Sequence, residues 1–248
     1  TRRSSDLVLL DADNYVCAYT LLRTSSGKES TVRVHWAESL YDDLKQWGKG
    51  NRDEVEGKFF TATWHNRDAV GDLFRISGRI GEPEVFESID WHAGRYIELL
   101  IETHNEPLTI DGFELFETHY PYEHEGAFEC NDAQLNQVVP ISKRALEMCS
   151  HETYMDCPYY ERLMYAGDTR IEILVTYALT RDDRLPRKAI QTFCDSKDDL
   201  GLTRSRYPSR RRQTIPPFSL WWTCMLHDHL MWRGDLSFLR SLAPAARE

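Results

Sequence analysis

The sequence predicts a chain of two parts, an antiparallel β-sandwich followed by a helical half. From Leu7 to about Tyr120, short runs of residues alternate between apolar and polar, which is typical of half-buried strands. Turn-forming residues interrupt these runs often enough for the short strands of a sandwich. From about Asn131 onward, apolar residues recur at every third or fourth position instead, as they do on one face of a helix.

Three runs show the alternation most clearly and justify the predicted strands: 30–36, 59–64 and 95–102. Breaks between strands are predicted where Gly, Pro, Asn and Ser occur: 26–27, 48–51, 81–83 and 105–107. The sequence has no internal repeat of fixed period, which disfavours a solenoid or a propeller. One layered β domain is therefore expected.

The helical half is predicted to contain four or five helices, of which the first begins near Asn131. Asp132 is a plausible N-cap for this first helix, and Pro140 is expected to kink or split it. Further helices are expected over 168–181, 183–195 and 216–233, with another beginning near Leu236. The last helical pattern has barely begun where the sequence stops, so we expect a fragment of a longer protein.

Composition and charge argue against several classes of protein. The 248 residues are 41% hydrophobic and 12% aromatic, which is too rich in large apolar side chains for a disordered chain. The net charge of −10 argues against nucleic acid as a partner, because the chain would repel phosphates. No apolar run approaches the roughly 20 residues that cross a bilayer, so no membrane association is expected. The six cysteines form no CxxC pair, and free thiols are expected.

The densest group of reactive side chains lies within residues 156–168, where Asp156, Glu161 and Asp168 stand among three tyrosines. This mixture suits sugar chemistry. Splitting a glycosidic bond needs one protonated carboxyl and a second, ionised one that activates water or attacks the anomeric carbon. Other interpretations stay open: Asp156 and Asp168 also stand where helix N-caps are expected, and Glu161 could be an ordinary exposed helix residue paired to Arg162.

This segment resembles the active-site segment of the α-L-rhamnosidases of glycoside hydrolase family 78, in which Asp-Cys-Pro is followed by a Glu and then by Gly-Asp. Here these are Asp156-Cys157-Pro158, Glu161 and Gly167-Asp168. Four further segments resemble the family in the same order: 34–40, 91–97, 127–132 and 215–222. The sequence departs from the family at Tyr165, where many members have a sugar-stacking Trp, and at Tyr159-Tyr160, where others have Gln and Arg.

The resemblance implies an antiparallel β-sandwich followed by the first part of an (α/α)6 barrel, the six-hairpin glycosidase fold. The implied domains are a β-sandwich over 1–120, a linker over 121–126 and a truncated N-terminal part of the catalytic barrel over 127–248. The implied activity is removal of terminal α-L-rhamnose from glycosides or polysaccharides by an inverting acid/base mechanism, with no metal or cofactor. The expected partner is a rhamnose-containing glycoside or polysaccharide, and the sequence does not indicate the oligomeric state.

The resemblance also assigns roles within the site. Glu161 is implied to be the general acid, while Asp156 and Asp168 would hold rhamnose hydroxyls and tune the acid. Tyr160 and Tyr165 are candidate sugar contacts. The family's general base is a Glu late in the barrel, beyond this chain, so the isolated chain is expected not to turn over.

Arginines cluster around Tyr207, and in related sequences this stretch lies beside the site, so Arg206 and Tyr207 are candidate sugar contacts. As a group, the arginines resemble a patch for phosphate or nucleic acid. The net charge favours instead a loop whose arginines pair with local carboxylates. The residues concerned are Arg204, Arg206, Arg210, Arg211 and Arg212, with Asp195, Asp198 and Asp199 as partners.

Two further groups lie in the predicted helix over 216–233. Trp221 and Trp222 fit the inner wall of a helical barrel, where core packing is the default and a sugar contact is the alternative. His227 and His229 suggest a metal site, but side chains two residues apart on a helix point to different faces and no third ligand is obvious. No metal is therefore expected.

Two alternative functions stay open on the sequence. One is a helical-barrel glycosidase that acts on another sugar, which a panel of aryl glycosides would distinguish. The other is a non-catalytic carbohydrate-binding protein, which would keep affinity for rhamnose without cleaving a rhamnoside. The intact acid motif argues against the second.

Overall fold

The computed structural model describes residues 4–44, 48–60, 70–79 and 82–247, which divide into two compact units, Thr1–Thr118 and His119–Glu248. The described part of the first unit is an antiparallel sheet, and the second unit contains five helices. The predicted fold class, an antiparallel β part followed by helices, is confirmed. Most of the strand predicted over 59–64, and the start of the break at 81–83, lie outside the described residues.

Six strands form one continuous sheet in the described part of the first unit. They are β1 (Ser4–Ser26), β2 (Thr31–Ala37), β3 (Val70–Arg75), β4 (Glu84–Glu87), β5 (His92–Thr103) and β6 (Leu108–Glu117). The strands predicted over 30–36 and 95–102 correspond to β2 and β5.

The long strand β1 organises this sheet. Its first part, residues 4–18, pairs with β5, and its last part pairs with β4 on one edge and with β6 on the other. The pairing register shifts between Asp11 and Val16, and such irregularities bend a strand and increase its twist. Beyond β5 the sheet continues through β2 to β3. The sheet therefore curls around β1 and β5.

The core of the first unit is centred on β2 and β5. Val32, Val34 and Trp36 alternate along β2 and are fully buried. Tyr96 and Ile97 are neighbours on β5 and are also buried, although successive side chains of a strand point to opposite faces. Both faces of β5 are therefore covered, as in a layered β domain.

The second unit contains five helices close to the predicted positions. They are α1 (Ala133–Met148), α2 (Ala166–Leu179), α3 (Arg184–Asp195), α4 (Pro216–Arg233) and α5 (Leu236–Arg247). The predicted N-cap is confirmed, because Oδ1 of Asp132 accepts the amides of Gln134 at 2.8 Å and Leu135 at 3.3 Å. Pro140 does not split α1, which continues through it to Met148.

The helices enclose a core of their own. Apolar residues of α2, α3 and α4 pack together in it, namely Ile173, Tyr177, Ile190, Phe193, Trp222 and Met225. The start of α2 lies against the start of α4: a Cβ at Gly167 would lie 2.9 Å from Cζ of Phe218, so only glycine fits without a shift of this ring. No described helix has the length and apolarity needed to cross a membrane, and the six cysteines are free thiols.

Candidate active site

The carboxylate-rich motif forms a closed loop between α1 and α2, residues 156–165, which we call the acid loop. Asp156 closes it: its amide donates to the carbonyl of Leu163 at 2.9 Å, and its Oδ1 accepts the Leu163 amide at 3.0 Å. Arg162 has a left-handed backbone (φ 53°), and its Nε donates to the carbonyl of Pro158 at 2.9 Å. A non-glycine residue in this conformation costs about 1–2 kcal/mol, so the surrounding hydrogen bonds fix the turn beside Glu161.

Neither aspartate of the motif is an N-cap. Asp156 does not precede a helix, because the acid loop that follows it is not helical. The N-cap of α2 is Tyr165, and Asp168 lies inside the first turn, where its negative charge favours the helix by about 0.3–1 kcal/mol. The Asp168 carboxylate is exposed and makes no hydrogen bond to any residue that the structure describes. Its oxygens are therefore available to a ligand.

Glu161 lies in the acid loop beside Tyr165 and Arg206. Its Oε2 accepts a hydrogen bond from the Tyr165 hydroxyl at 2.9 Å, and Nη1 of Arg206 lies 3.6 Å from the same oxygen. Arg206 also donates to the Tyr165 hydroxyl at 2.7 Å and stacks over its ring at 5.4 Å. The Glu161 side chain is still 49% exposed. It is therefore not an ordinary helix residue but a solvent-accessible carboxylate with one oxygen held in place.

A short backbone ladder aligns the acid loop with the segment between α3 and α4, residues 196–215, which we call the arginine loop. Tyr165 and Arg206 form an isolated antiparallel bridge. The Ala166 amide donates to the carbonyl of Ser205 at 2.9 Å, and the Tyr207 amide donates to the carbonyl of Met164 at 3.2 Å. The structure thus brings the predicted residues Glu161, Tyr165 and Arg206 together although Tyr165 and Arg206 are 41 residues apart in sequence.

A cavity of about 320 Å³ between α1 and α2, which we call the acid cavity, is lined by three carboxyl residues: Asp156, Asp168 and Glu172. Its other walls are Ser142, Ala145, Leu146, Cys149, Ile171 and Val175. Burial raises the pKa of Asp156, and the negative charge of Glu161 raises it further. The acid cavity therefore contains one half-buried carboxyl, that of Asp156, and one exposed carboxyl, that of Asp168.

Glu172 is the residue of this cavity that the sequence analysis missed. Burial raises its pKa well above the ordinary value, and the charges of Asp168 and Asp156 add to this shift. Its Oε2 is buried and has no hydrogen-bond partner among the described residues. The available signal was its spacing, because Asp168 and Glu172 are four residues apart and share one face of α2.

The predicted aromatic contacts lie in different environments. Tyr160 is exposed and stands edge-on to Tyr159, with ring centroids 4.7 Å apart. Tyr207 is partly buried against the helical core. Trp222 is only 3% exposed, and its Nε1 donates to the carbonyl of Ile190 at 2.9 Å. Its side chain is therefore packed in the core of the helical unit.

Trp221 is 38% exposed, and its ring contacts a side chain of α2. The guanidinium of Arg170 lies 4.6 Å from its ring centroid, and Nε of Arg170 donates to Oδ2 of Asp228 at 2.8 Å. A cation over an aromatic face contributes about 0.5–1 kcal/mol at an exposed site. Trp221 therefore stays a candidate sugar contact, fixed by a contact between α2 and α4.

The two histidines of α4 have separate surroundings. His229 is buried, and its Nδ1 lies 2.7 Å from the Tyr177 hydroxyl; burial lowers its pKa. His227 has an exposed side chain, and its Nδ1 lies 3.5 Å from Oδ1 of Asp228. Across residues 4–44, 48–60, 70–79 and 82–247, no three His, Cys, Asp or Glu side chains are grouped to hold a metal ion.

Comparison with known proteins identifies the helical unit. Residues 123–241 match the family model described as the bacterial alpha-L-rhamnosidase 6 hairpin glycosidase domain. A search of the curated proteins found no significant match.

Solved structures of similar fold cover nearly the whole chain. A family 78 rhamnosidase of Bacillus sp. GL1 is 21% identical over 97% of this chain, with a TM-score of 0.78. A Klebsiella oxytoca rhamnosidase with rhamnose bound is 17% identical over 99%, with a TM-score of 0.76. An α-L-rhamnosidase of Dictyoglumus thermophilum is 16% identical over 96%, with a TM-score of 0.74.

The similarity covers only part of each solved protein. The chain spans 23%, 48% and 26% of those three chains. At these identities the solved structures show the fold, and the family model adds the relationship over the segment that contains the acid loop and the arginine loop. The helical unit therefore matches the bacterial alpha-L-rhamnosidase 6 hairpin glycosidase domain, as its sequence predicts, and the chain shares the fold of the solved rhamnosidases.

Proposed function

We propose that this chain provides the general acid and part of the sugar site of a glycoside hydrolase that removes terminal α-L-rhamnose from glycosides or polysaccharides with inversion. The observation that supports this most is the arrangement of Glu161, which is exposed, held through one oxygen, and adjacent to a cavity lined by further carboxyl residues. The rhamnose-bound relative of the same fold supports the choice of sugar.

The proposed proton donor is the second oxygen of Glu161. Tyr165 and Arg206 both contact Oε2, whereas Oε1 has no hydrogen-bond partner among the described residues. A protonated Oε1 is then free to donate its proton to the glycosidic oxygen as the bond to the anomeric carbon breaks. General acids of this kind accelerate bond cleavage by about 10²–10⁴-fold.

The acid cavity is the proposed site of the rhamnose ring. Exposed Asp168 oxygens without protein partners can accept hydrogen bonds from sugar hydroxyls, and hydrogen bonds to charged groups contribute about 1.5–3 kcal/mol each. Asp156 lines the same cavity. Inversion then needs a water on the opposite face of the ring and a carboxylate base about 6.5–9.5 Å from the acid. We propose that this base comes from outside the 248 residues.

Hydrolysis of a panel of aryl glycosides by the complete protein tests this function. We expect cleavage of the α-L-rhamnoside, formation of the inverted β anomer as first product by proton NMR, and a loss of about 10²–10⁴-fold in kcat for Glu161→Gln. Glu123→Gln is the matched control, because Glu123 is an exposed glutamate outside the acid loop. The isolated 248-residue chain, which lacks the proposed base, should show no turnover.

The outcomes separate the alternatives. Cleavage of another glycoside but not of the rhamnoside would assign the barrel to a different sugar. Rhamnose binding by the complete protein without cleavage would indicate a carbohydrate-binding protein. Full activity of Glu161→Gln would exclude Glu161 as the acid, and turnover by the isolated chain would show that no external base is needed.

A further inference from the structure

The arginine loop surrounds a second cavity, of about 370 Å³, which we call the arginine cavity. Six of its lining residues are cationic and three are carboxylates, in a chain whose net charge is −10. The cations are Lys197, Arg204, Arg206, Arg210, Arg211 and Arg212. The cavity is thus a local concentration of positive charge on an acidic protein, which attracts anions and not cations.

Local carboxylates neutralise only part of this charge. Arg204 pairs with Asp198 at 3.6 Å, whereas Asp195 accepts the side-chain amide of Gln191 at 2.7 Å. Lys197 donates to the carbonyl of Ala245. The expectation that this loop balances its own charges therefore holds for Arg204 but not for the whole group.

Three arginines of the cavity have side chains without a partner among the residues that the structure describes. The side chains of Arg210, Arg211 and Arg212 are exposed and make no hydrogen bond or ion pair with any residue in the described part of the chain. Asp199 is the one unpaired carboxylate that lines the same cavity, so it offsets at most one of these three charges. In Arg206 the Nε atom is buried and has no partner there either. The exposed donors of Arg210, Arg211 and Arg212 are available to an anionic ligand, whose oxygens match the fork of a guanidinium.

Arg206 connects this cavity to the candidate acid, because it lines the cavity and also lies 3.6 Å from Oε2 of Glu161. Glu161 also lies close enough to Asp156 for its negative charge to raise the pKa of that carboxyl. A general acid must lie at the bond between the sugar and its leaving group. If the acid cavity holds the rhamnose ring, the contact of Arg206 with Glu161 makes the arginine cavity the candidate position of the leaving group.

We propose that the arginine cavity binds an anionic group on the leaving-group side of the substrate, so that the preferred rhamnosides are those whose next unit bears a carboxylate or a sulfate ester. The inference rests on the proposed function and adds a substrate class to it. Arg210, Arg211 and Arg212 supply the charge-assisted hydrogen bonds, and Arg206 aligns the bound group with Glu161.

Three aryl α-L-rhamnosides test this with the complete protein: one with a neutral phenol, one with a carboxylate on the ring and one with a sulfate ester on the ring. The measured quantity is kcat/KM for each anionic substrate divided by kcat/KM for the neutral one. In the combined variant R210Q/R211Q/R212Q this ratio should fall about tenfold or more, as expected for the loss of one to two charge-assisted hydrogen bonds. Whichever anionic substrate shows the larger fall identifies the group.

Arg240→Gln is the matched control, because Arg240 is an exposed arginine of α5 that does not line the cavity. Its ratio should stay within about twofold of the unaltered protein, since screening removes distant charge effects at physiological salt. A ratio in the combined variant that equals that of Arg240→Gln would overturn the proposal. A cooperative melting transition for the combined variant shows that it is folded.

Equilibrium binding separates this inference from the proposed function. Sodium galacturonate and inorganic sulfate are titrated into the complete protein and into R210Q/R211Q/R212Q by calorimetry. Binding of either probe that requires the arginines supports the anion site even if no rhamnoside is cleaved, in which case only the rhamnosidase proposal fails. Cleavage of rhamnosides without arginine-dependent binding or discrimination would reject the anion site alone.

Discussion

Two cavities of similar size but opposite charge each have a lining residue that interacts with Glu161, Asp156 in one and Arg206 in the other. The acid cavity, about 320 Å³, is lined by Asp156, Asp168 and Glu172, whereas the arginine cavity, about 370 Å³, is lined by five arginines. The first has mostly apolar walls from two helices, and the second is built from a loop. This difference is the basis of the proposed division of roles, in which the acid cavity binds a neutral sugar through its hydroxyls and the arginine cavity binds a charged group.

The two cavities also differ in how their charges are satisfied. In the acid cavity, Asp156 closes its own loop and Glu172 is buried beside two other carboxyls, so like charges crowd together. In the arginine cavity, the unpaired cations are exposed to water. Crowded carboxyls favour retained protons, and exposed arginines favour a ligand. The following predictions test this contrast.

Asp168→Asn should have the largest effect among the changes around the acid. It removes the charge of an exposed carboxylate that has no partner among described residues, so hydrogen bonds from sugar hydroxyls weaken. We expect kcat/KM for an aryl α-L-rhamnoside to fall about 10–100-fold, which corresponds to the free energy of one hydrogen bond to a charged group. Steady-state kinetics of the complete protein measures this, and a loss no larger than that of Glu123→Gln would remove Asp168 from the sugar site.

Tyr165→Phe should have a smaller effect, because it leaves both charges in place. The hydroxyl joins Glu161 and Arg206 through contacts of 2.9 Å and 2.7 Å, so its removal lets the carboxylate move. We expect kcat to fall about 3–10-fold, the equivalent of one ordinary hydrogen bond. Tyr19→Phe is the control, since Tyr19 lies on β1, outside the unit that contains the acid loop. Equal losses in both variants would contradict a specific role for Tyr165.

Glu172→Gln should change stability and its pH dependence more than activity. Because the pKa of Glu172 is raised above its ordinary 4.5 in the folded protein, the unfolded chain loses this proton first as pH rises, and stability falls between the two pKa values. Glutamine does not ionise, so the variant should melt about 2–8 °C higher than the unaltered protein at pH 7, and the gain should shrink toward pH 4.

Thermal unfolding of the complete protein between pH 4 and 7 checks this prediction. Glu123→Gln serves as the control, because Glu123 is exposed. A gain for Glu172→Gln that is the same at every pH would show that its cause is packing and not ionisation. A loss of stability at pH 7 would contradict a retained proton on Glu172.

The fold and the predicted catalytic loop could be found from the sequence because both depend on local patterns. Alternation marked β2 and β5, helical spacing marked the five helices, and Asp132 marked the start of α1. The acid motif was recognised from its residue order. The spacing alone did not decide whether Asp156 and Asp168 were N-caps, because the decision depends on where α2 begins.

What the sequence did not show depends on contacts between distant segments. Arg206 reaches Glu161 only because the arginine loop pairs with the acid loop through Tyr165. The raised pKa of Glu172 depends on burial, which an isolated glutamate in an apolar helix does not reveal. The arginine cluster was visible, but its charge balance was not, because only the structure shows that Asp195 and Asp198 leave Arg210, Arg211 and Arg212 unpaired.

The most direct test of Glu161 as proton donor compares how much kcat/KM the variant Glu161→Gln loses on two substrates with different leaving groups. Glu161→Gln is assayed in the complete protein with 2,4-dinitrophenyl α-L-rhamnoside, whose phenol departs without a proton, and with methyl α-L-rhamnoside, whose alcohol does not. The account predicts a kcat/KM loss at least about 100-fold greater for the methyl glycoside, the scale of general acid catalysis. An equal loss on both substrates would contradict it.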